Sequence, residues 1–311
     1  MFGFKKRKKK KEKDDIDYHK KTEDLKDEIS RIQGLDELEE FIDENKTQAL
    51  DENLVYSEII TYGVSDIGTR DYQQDAYYVT APTSQDIDMP SRSYGVVCDG
   101  MGGLSDGEKA SQMAVEYFKK GLEQINLFQE TPVLFQEMLK QLDDEIFVQL
   151  AHEIKGKAGT TLVAGIIEGN LLRWVSVGDS RIFLIRGDEI LPVVREHNYR
   201  LILEEQVKQG IISKAAIEGN PKKDALISYL GLGNIKLIDI NKDGFPLIDK
   251  DVVVLCSDGL TKILSQEDIK NTVKSSITDM EEAGKKLLLE ARNGRGKNQD
   301  NTTVVLMQYR E

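Results

Sequence analysis

The spacing of apolar positions changes near Val55. Before it, Leu25, Ile29, Ile32, Leu35, Leu38 and Ile42 recur every three or four residues among Asp, Glu and Lys. That pattern predicts a narrow-faced, largely solvated helix, or a helix pair broken near Gly34. Beyond Val55 the apolar runs are short and bounded by turn residues, which predicts strands over 56–64, 76–80, 93–98, 160–168, 171–177, 181–186, 251–257 and 302–309. Glu168-Gly169-Asn170 and Gly178-Asp179-Ser180 read as hairpin turns. Helical periodicity predicts helices over 105–124, 132–155, 266–275 and 279–293. Antiparallel meanders with long helices inserted between them predict an α+β protein whose helices cover two packed sheets. Residues 197–232 are polar, helical in pattern and punctuated by glycine, as in a surface subdomain.

Composition sharpens this picture. Of 311 residues 39% are hydrophobic, enough for a sizeable core. No apolar run approaches the roughly 18–20 residues of a membrane span. Cys98 and Cys256 both fall inside apolar runs and are expected to be reduced and buried, so no disulfide framework supports the fold. Residues 1–13 carry eight basic side chains against one glutamate, yet the chain totals −13, so the body is strongly acidic. This balance argues against nucleic acid as a partner. It suits cations wherever carboxylates gather. The basic run is either a solvated tail or a contact with anionic lipid. No apolar stretch follows it and residue 2 is Phe, so neither a secretory signal nor myristoylation is expected. A cytoplasmic location follows, with residues 1–52 as a potential peripheral contact with the inner membrane face or a partner.

Two segments rhyme: Tyr94-Gly-Val-Val-Cys-Asp-Gly-Met-Gly-Gly103 and Val252-Val-Val-Leu-Cys-Ser-Asp-Gly-Leu260. Each is an apolar strand stopping at Asp-Gly, where glycine permits a sharp turn and the aspartate projects from a rigid strand end. Asp300 precedes another strand in Gln299-Asp-Asn-Thr-Thr303, and Asp75 leads into a fourth after Arg70-Asp-Tyr-Gln-Gln. Acids at strand edges, with only three histidines in the chain, favour Mg²⁺ or Mn²⁺ over Zn²⁺. Singly, each Asp-Gly is an ordinary turn dipeptide. The weight lies in the ordered set, which also includes Gly159-Thr-Thr161 and Gly178-Asp-Ser-Arg181.

That ordered set resembles the metal-dependent type 2C family of serine/threonine protein phosphatases in its compact bacterial form, over about residues 55–309. The resemblance implies a four-layer α-β-β-α sandwich as residues 55–311, carrying a flap at about 196–233; the basic run and apolar spacing before it predict a basic, charged helical extension over 1–54. It implies two Mn²⁺ or Mg²⁺ in a cleft. Asp99 would bridge both and the Gly100 carbonyl would bind one. Asp258 and Asp300 would complete the ligands of the other, and Asp75 would hold the second directly or through water. Arg70 would clamp the substrate phosphate with its planar fork. Asp179 matches a position that helps hold a weaker third metal; its alternative is a plain turn aspartate. The implied activity is hydrolysis of phosphoserine or phosphothreonine on proteins, with a cognate kinase as a further partner. The alternative is a catalytically weak phosphoprotein-binding scaffold of the same fold.

The chain departs from the family pattern in two places. Gln73 and Gln74 stand where many members have Glu or Asn, and glutamine can orient a water but adds no charge. Met101 stands where some members have His and cannot protonate a leaving group. Asp239-Ile-Asn-Lys-Asp-Gly244 copies the start of a calcium loop, but Lys250 occupies the twelfth position, where a bidentate Glu is needed, so calcium is not expected there. None of His19, His152 and His197 falls in a motif, and none is assigned a catalytic role.

Overall fold

The computed structural model describes residues 57–84, 91–102, 106–124, 131–151, 158–235, 237–241, 243–295 and 299–311. The helical extension and basic run expected before Val55 lie outside the described residues, as does His152.

Strands β1 (Glu58–Asp66), β2 (Asp75–Val79), β3 (Thr83–Ser84) and β4 (Arg92–Met101) come first, followed by helices α1 (Asp106–Gln124) and α2 (Thr131–Ile146). The second helix runs on as a π turn over Phe147–Ala151. Next are β5 (Gly159–Thr160), β6 (Leu162–Glu168), β7 (Leu171–Val177), β8 (Arg181–Arg186) and β9 (Glu189–Pro192). Short helices α3 (Tyr199–Lys208) and α4 (Lys214–Glu218) lead to β10 (Asp239–Ile240), β11 (Phe245–Pro246) and β12 (Val252–Cys256). The last elements are α5 (Asp258–Thr261), α6 (Gln266–Ser275), α7 (Met280–Arg295) and β13 (Thr302–Arg310).

These strands build two antiparallel sheets, ordered β3-β1-β13-β12-β8-β9 and β10-β7-β6-β4-β2, with β11 added to β7 and β5 to β4. Strand parity explains how each sheet is covered on both faces. Val252, Val254 and Cys256 of β12, with Val304 and Leu306 of β13, pack under Ile269 and Val273 of α6 and Leu287 and Ala291 of α7. The intervening Leu255 and Val305 point the other way, into the second sheet: a methyl added at Gly95 of β4 would meet Val305 at 2.7 Å. On the far side, Val96 and Cys98 of β4 and Leu162, Ala164 and Ile166 of β6 lie under Phe118 of α1 and Phe135 and Leu142 of α2. Central strands buried on both faces read as continuous apolar runs, as Val252-Val-Val-Leu-Cys256 does. Each fully buried Phe contributes about 1.5–3 kcal/mol of apolar transfer. This is the expected α-β-β-α sandwich.

One turn differs from expectation. β7 belongs to one sheet and β8 to the other, so Gly178-Asp179-Ser180 is a crossing between sheets rather than a hairpin. Locally both arrangements need the same turn residues, and Gly178 adopts a φ of 106°. The calcium-loop look-alike is likewise structural, since the Asp239 carboxylate accepts from the Arg195 backbone and guanidinium. Asn198–Ile227 forms a compact unit of its own, in which the Asn198 side chain caps α3 and Arg200 pairs with Glu218 at 2.8 Å.

Candidate functional site

The antiparallel register brings four strand ends together. β2 begins at Asp75, directly opposite Asp99 near the end of β4. β12 ends at Cys256, with Ser257 N–H donating to the Thr303 carbonyl at the start of β13. Asp258 and Asp300 therefore flank one edge, and Asp75 and Asp99 the other. The Asp75 side chain joins the two sheets. Its Oδ2 accepts from Ser257 Oγ and from Thr303 Oγ1, each at 2.7 Å, while Oδ1 is buried with no hydrogen-bond partner.

Asp99 is fixed through its backbone. Its N–H donates to Thr161 Oγ1, and its carbonyl accepts from the Thr161 N–H and the Thr160 hydroxyl. Thr160-Thr161 thus clamps the strand end that presents Asp99, a role for Gly159-Thr-Thr161 that the sequence reading left blank. Gly100 donates to the Gln74 carbonyl, and a Cβ there would sit 2.1 Å from the Gly107 carbonyl oxygen. Only glycine allows that backbone approach. Gln73 does not project freely into the site: its amide donates to Ser65 Oγ and its Oε1 accepts from the Asp75 N–H. Asn301, also unassigned from sequence, holds the neighbouring loop by donating to the carbonyls of Ile67 and Tyr72.

That loop carries Arg70, whose guanidinium grips Asp300 with Nε 2.9 Å from Oδ1 and an NH₂ group 2.9 Å from Oδ2. The Arg70 side chain remains 58% exposed, so its outer edge is open to a ligand. Lys262 pairs with Asp258 and reaches Asp300 Oδ2 at 3.3 Å. Asp179 lies half-buried at the sheet crossing. His197 is wholly buried, its Nδ1 accepting from the Gly178 N–H.

The electrostatics are those of crowded carboxylates. Loss of hydration pushes Asp75 up to about 6, with Asp258 and Asp300 adding to the rise and the two hydroxyl hydrogen bonds opposing it. Burial also lifts Asp99 well above the carboxylate range, reinforced by Asp75, Asp258, Asp179 and Asp300. Asp179 is pushed up to about 7 by burial, Asp258 and Glu196, against the pull of Lys262. Among the described residues, no three His, Cys, Asp or Glu side chains stand close enough to hold a metal ion as they are. Arg70 pairs with Asp300, and Lys262 with Asp258 and Asp300. The donor set still fits a hard divalent cation. It is all oxygen, two of its oxygens (Asp75 Oδ1 and Asp258 Oδ1) are buried without partners, and its charges repel unless offset.

A pH dependence follows for the metal-free protein. Asp75 and Asp179 hold protons up to about 6 and about 7 when folded but release them near 3.8 when unfolded. Between those values the native state binds more protons, so stability declines as pH rises through the window. In EDTA, the melting temperature is expected to be lower at pH 7.5 than at pH 5.5. A flat or rising profile would contradict the assignment.

Comparison with known proteins comes to the same place. A family model described as protein phosphatase 2C matches residues 62–291. The protein phosphatase PhpP of Streptococcus pneumoniae is 30% identical over 229 residues, covering 72% of this chain and 89% of that protein. The serine/threonine phosphatase of S. agalactiae superposes with a TM-score of 0.68 at 26% identity, over 80% of this chain and 98% of that one. The catalytic domain of the phosphatase PstP, in complex with two manganese ions, matches with a TM-score of 0.64 at 24% identity, over 82% and 100% of the two chains.

Proposed function

This chain belongs to the protein phosphatase 2C family, and from that premise we propose that it hydrolyses phosphoserine and phosphothreonine on proteins with the help of two divalent cations, Mn²⁺ or Mg²⁺. The observation that carries the reading is the gathering of Asp75, Asp99, Asp258 and Asp300 at one end of the sandwich, with two buried oxygens lacking partners. Asp75, Asp99, the Gly100 carbonyl, Asp258 and Asp300 would hold the cations. When bound, such cations acidify water and offset charge on phosphoryl oxygens.

The chain's own residues do the rest. Arg70 offers the outer edge of a planar fork to phosphate oxygens while its inner edge stays on Asp300. Ser257 and Thr303 hold Oδ2 of the Asp75 carboxylate, which leaves Oδ1 as its one buried oxygen without a partner. Asp179, an oxygen donor whose electrostatics are coupled to Asp258, would help hold a weaker third cation. A covalent phosphoenzyme is not expected. Cys98 and Cys256 are fully buried, and burial pushes the Cys256 thiol up to about 12, so neither supplies a thiolate. Ser257 is likewise buried and committed to Asp75.

The test is direct. Purified protein should hydrolyse p-nitrophenyl phosphate and phosphothreonine peptides with Mn²⁺, stop with EDTA, and recover when Mn²⁺ is restored. Protein inert toward both substrates with either Mn²⁺ or Mg²⁺ would overturn the reading.

A further inference from the structure

Among the described residues, Lys262 is a cationic side chain placed between two of these acids, Asp258 and Asp300, that no motif brought to attention. It immediately follows α5, four residues after Asp258, and its N–H closes on the Asp258 carbonyl at 2.8 Å. Residues four apart on a helical turn share a face, so the chain itself sets the ammonium beside Asp258. Nζ contacts Asp258 Oδ2 and lies 3.3 Å from Asp300 Oδ2, with the side chain 41% exposed. The pairing leaves Asp258 Oδ1 buried and unpartnered, so the ammonium satisfies only one oxygen of that carboxylate.

A fixed charge in this position acts in two opposite ways. Without metal it offsets the repulsion among Asp258, Asp300 and Asp179. With metal it must either leave the carboxylate oxygens or stay nearby as a like charge. Both alternatives weaken metal binding relative to a neutral side chain of the same shape. The partly exposed four-carbon stem gives the ammonium a route into water.

We propose that Lys262 is a tethered competitor for the divalent cations, a built-in ammonium that lowers metal affinity at the Asp258–Asp300 edge while stabilising the metal-free site. The inference rests on the reading that these acids hold Mn²⁺ or Mg²⁺. It moves metal loading to a higher metal concentration than the four acids alone would require.

Mn²⁺ binding to the full-length chain, followed by titration calorimetry and by loss of the free Mn²⁺ paramagnetic resonance signal, tests it. Lys262→Met keeps the stem and removes the charge, and should tighten the weakest site roughly tenfold. It should also enlarge the rise in melting temperature on adding Mn²⁺, because the metal-free state loses its internal counter-charge. Lys262→Arg should bind as the wild type does. Should Lys262→Met fail to fold without metal, Lys262→Gln takes its place in the same titration. A folded neutral variant that binds Mn²⁺ no more tightly than the wild type overturns the competitor role and leaves the metal site standing. Wild-type protein that binds no Mn²⁺ removes the metal site and this inference together.

Discussion

Asp99→Asn is expected to raise the melting temperature of the metal-free protein while lowering turnover by about a thousandfold or more, the several kcal/mol that a lost metal contact represents. The opposite signs are the point. The contacts that hold this residue in place are backbone ones, to Thr160 and Thr161, and an amide side chain leaves them intact. What the amide removes is a charge, or a proton held at a cost, in a spot where lost hydration and Asp75, Asp258, Asp179 and Asp300 all disfavour the carboxylate. An acid kept there against stability is what a binding site for a cation requires, and relieving it should stabilise the fold at the expense of function. Thermal melts in EDTA, the Mn²⁺-induced shift and the rate on a phosphothreonine peptide give the three readings. A variant that melts lower than wild type in EDTA, or keeps activity within tenfold, would contradict the role assigned to Asp99.

Much of this arrangement was legible in the sequence because its signals are local. An apolar run that stops at Asp-Gly announces a strand end bearing an acid, so Asp99 and Asp258 were readable from a few neighbours each. The layered fold was readable for a similar reason, since central strands leave continuous apolar runs and long helices leave a strong periodic signature. Two-residue strands such as β3, β10 and β11 leave none. The crossing at Gly178-Asp179-Ser180 was misread because a tight turn has one chemistry whether its strands pair with each other or part. Which sheet receives β8 is decided by its pairing with β12, far along the chain. The contacts that organise the site are equally remote. Asp75 is held by Ser257 and Thr303, 182 and 228 positions away, and Arg70 by Asp300, 230 positions away. Each of those hydroxyls stood in a recognised string, but nothing in a string says which distant acid it will meet. Lys262 carried still less signal, as one lysine among many.

Gly259→Ala carries the second large expectation: destabilisation of about 3 kcal/mol, at the upper end for overpacking, together with a loss of turnover of roughly a hundredfold. A Cβ at this position would lie 2.0 Å from the Asn301 backbone carbonyl oxygen and 2.7 Å from Thr302 Oγ1. Backbone cannot rotate aside as a side-chain tip can, so the Asp258 turn and the Asn301 segment must move apart. Those two segments carry Asp258 and Asp300, and Asn301 also anchors the loop bearing Arg70 through Ile67 and Tyr72. One methyl group thus disturbs two acids and the arginine without removing any of them. Gly219→Ala is the matched control, because the nearest atoms to its added methyl lie at 3.9 Å. Denaturant melts should separate the two variants clearly. If Gly259→Ala melts like wild type and keeps its rate, the close approach of the two segments is not what positions the acids, and the geometric basis of the site fails with it.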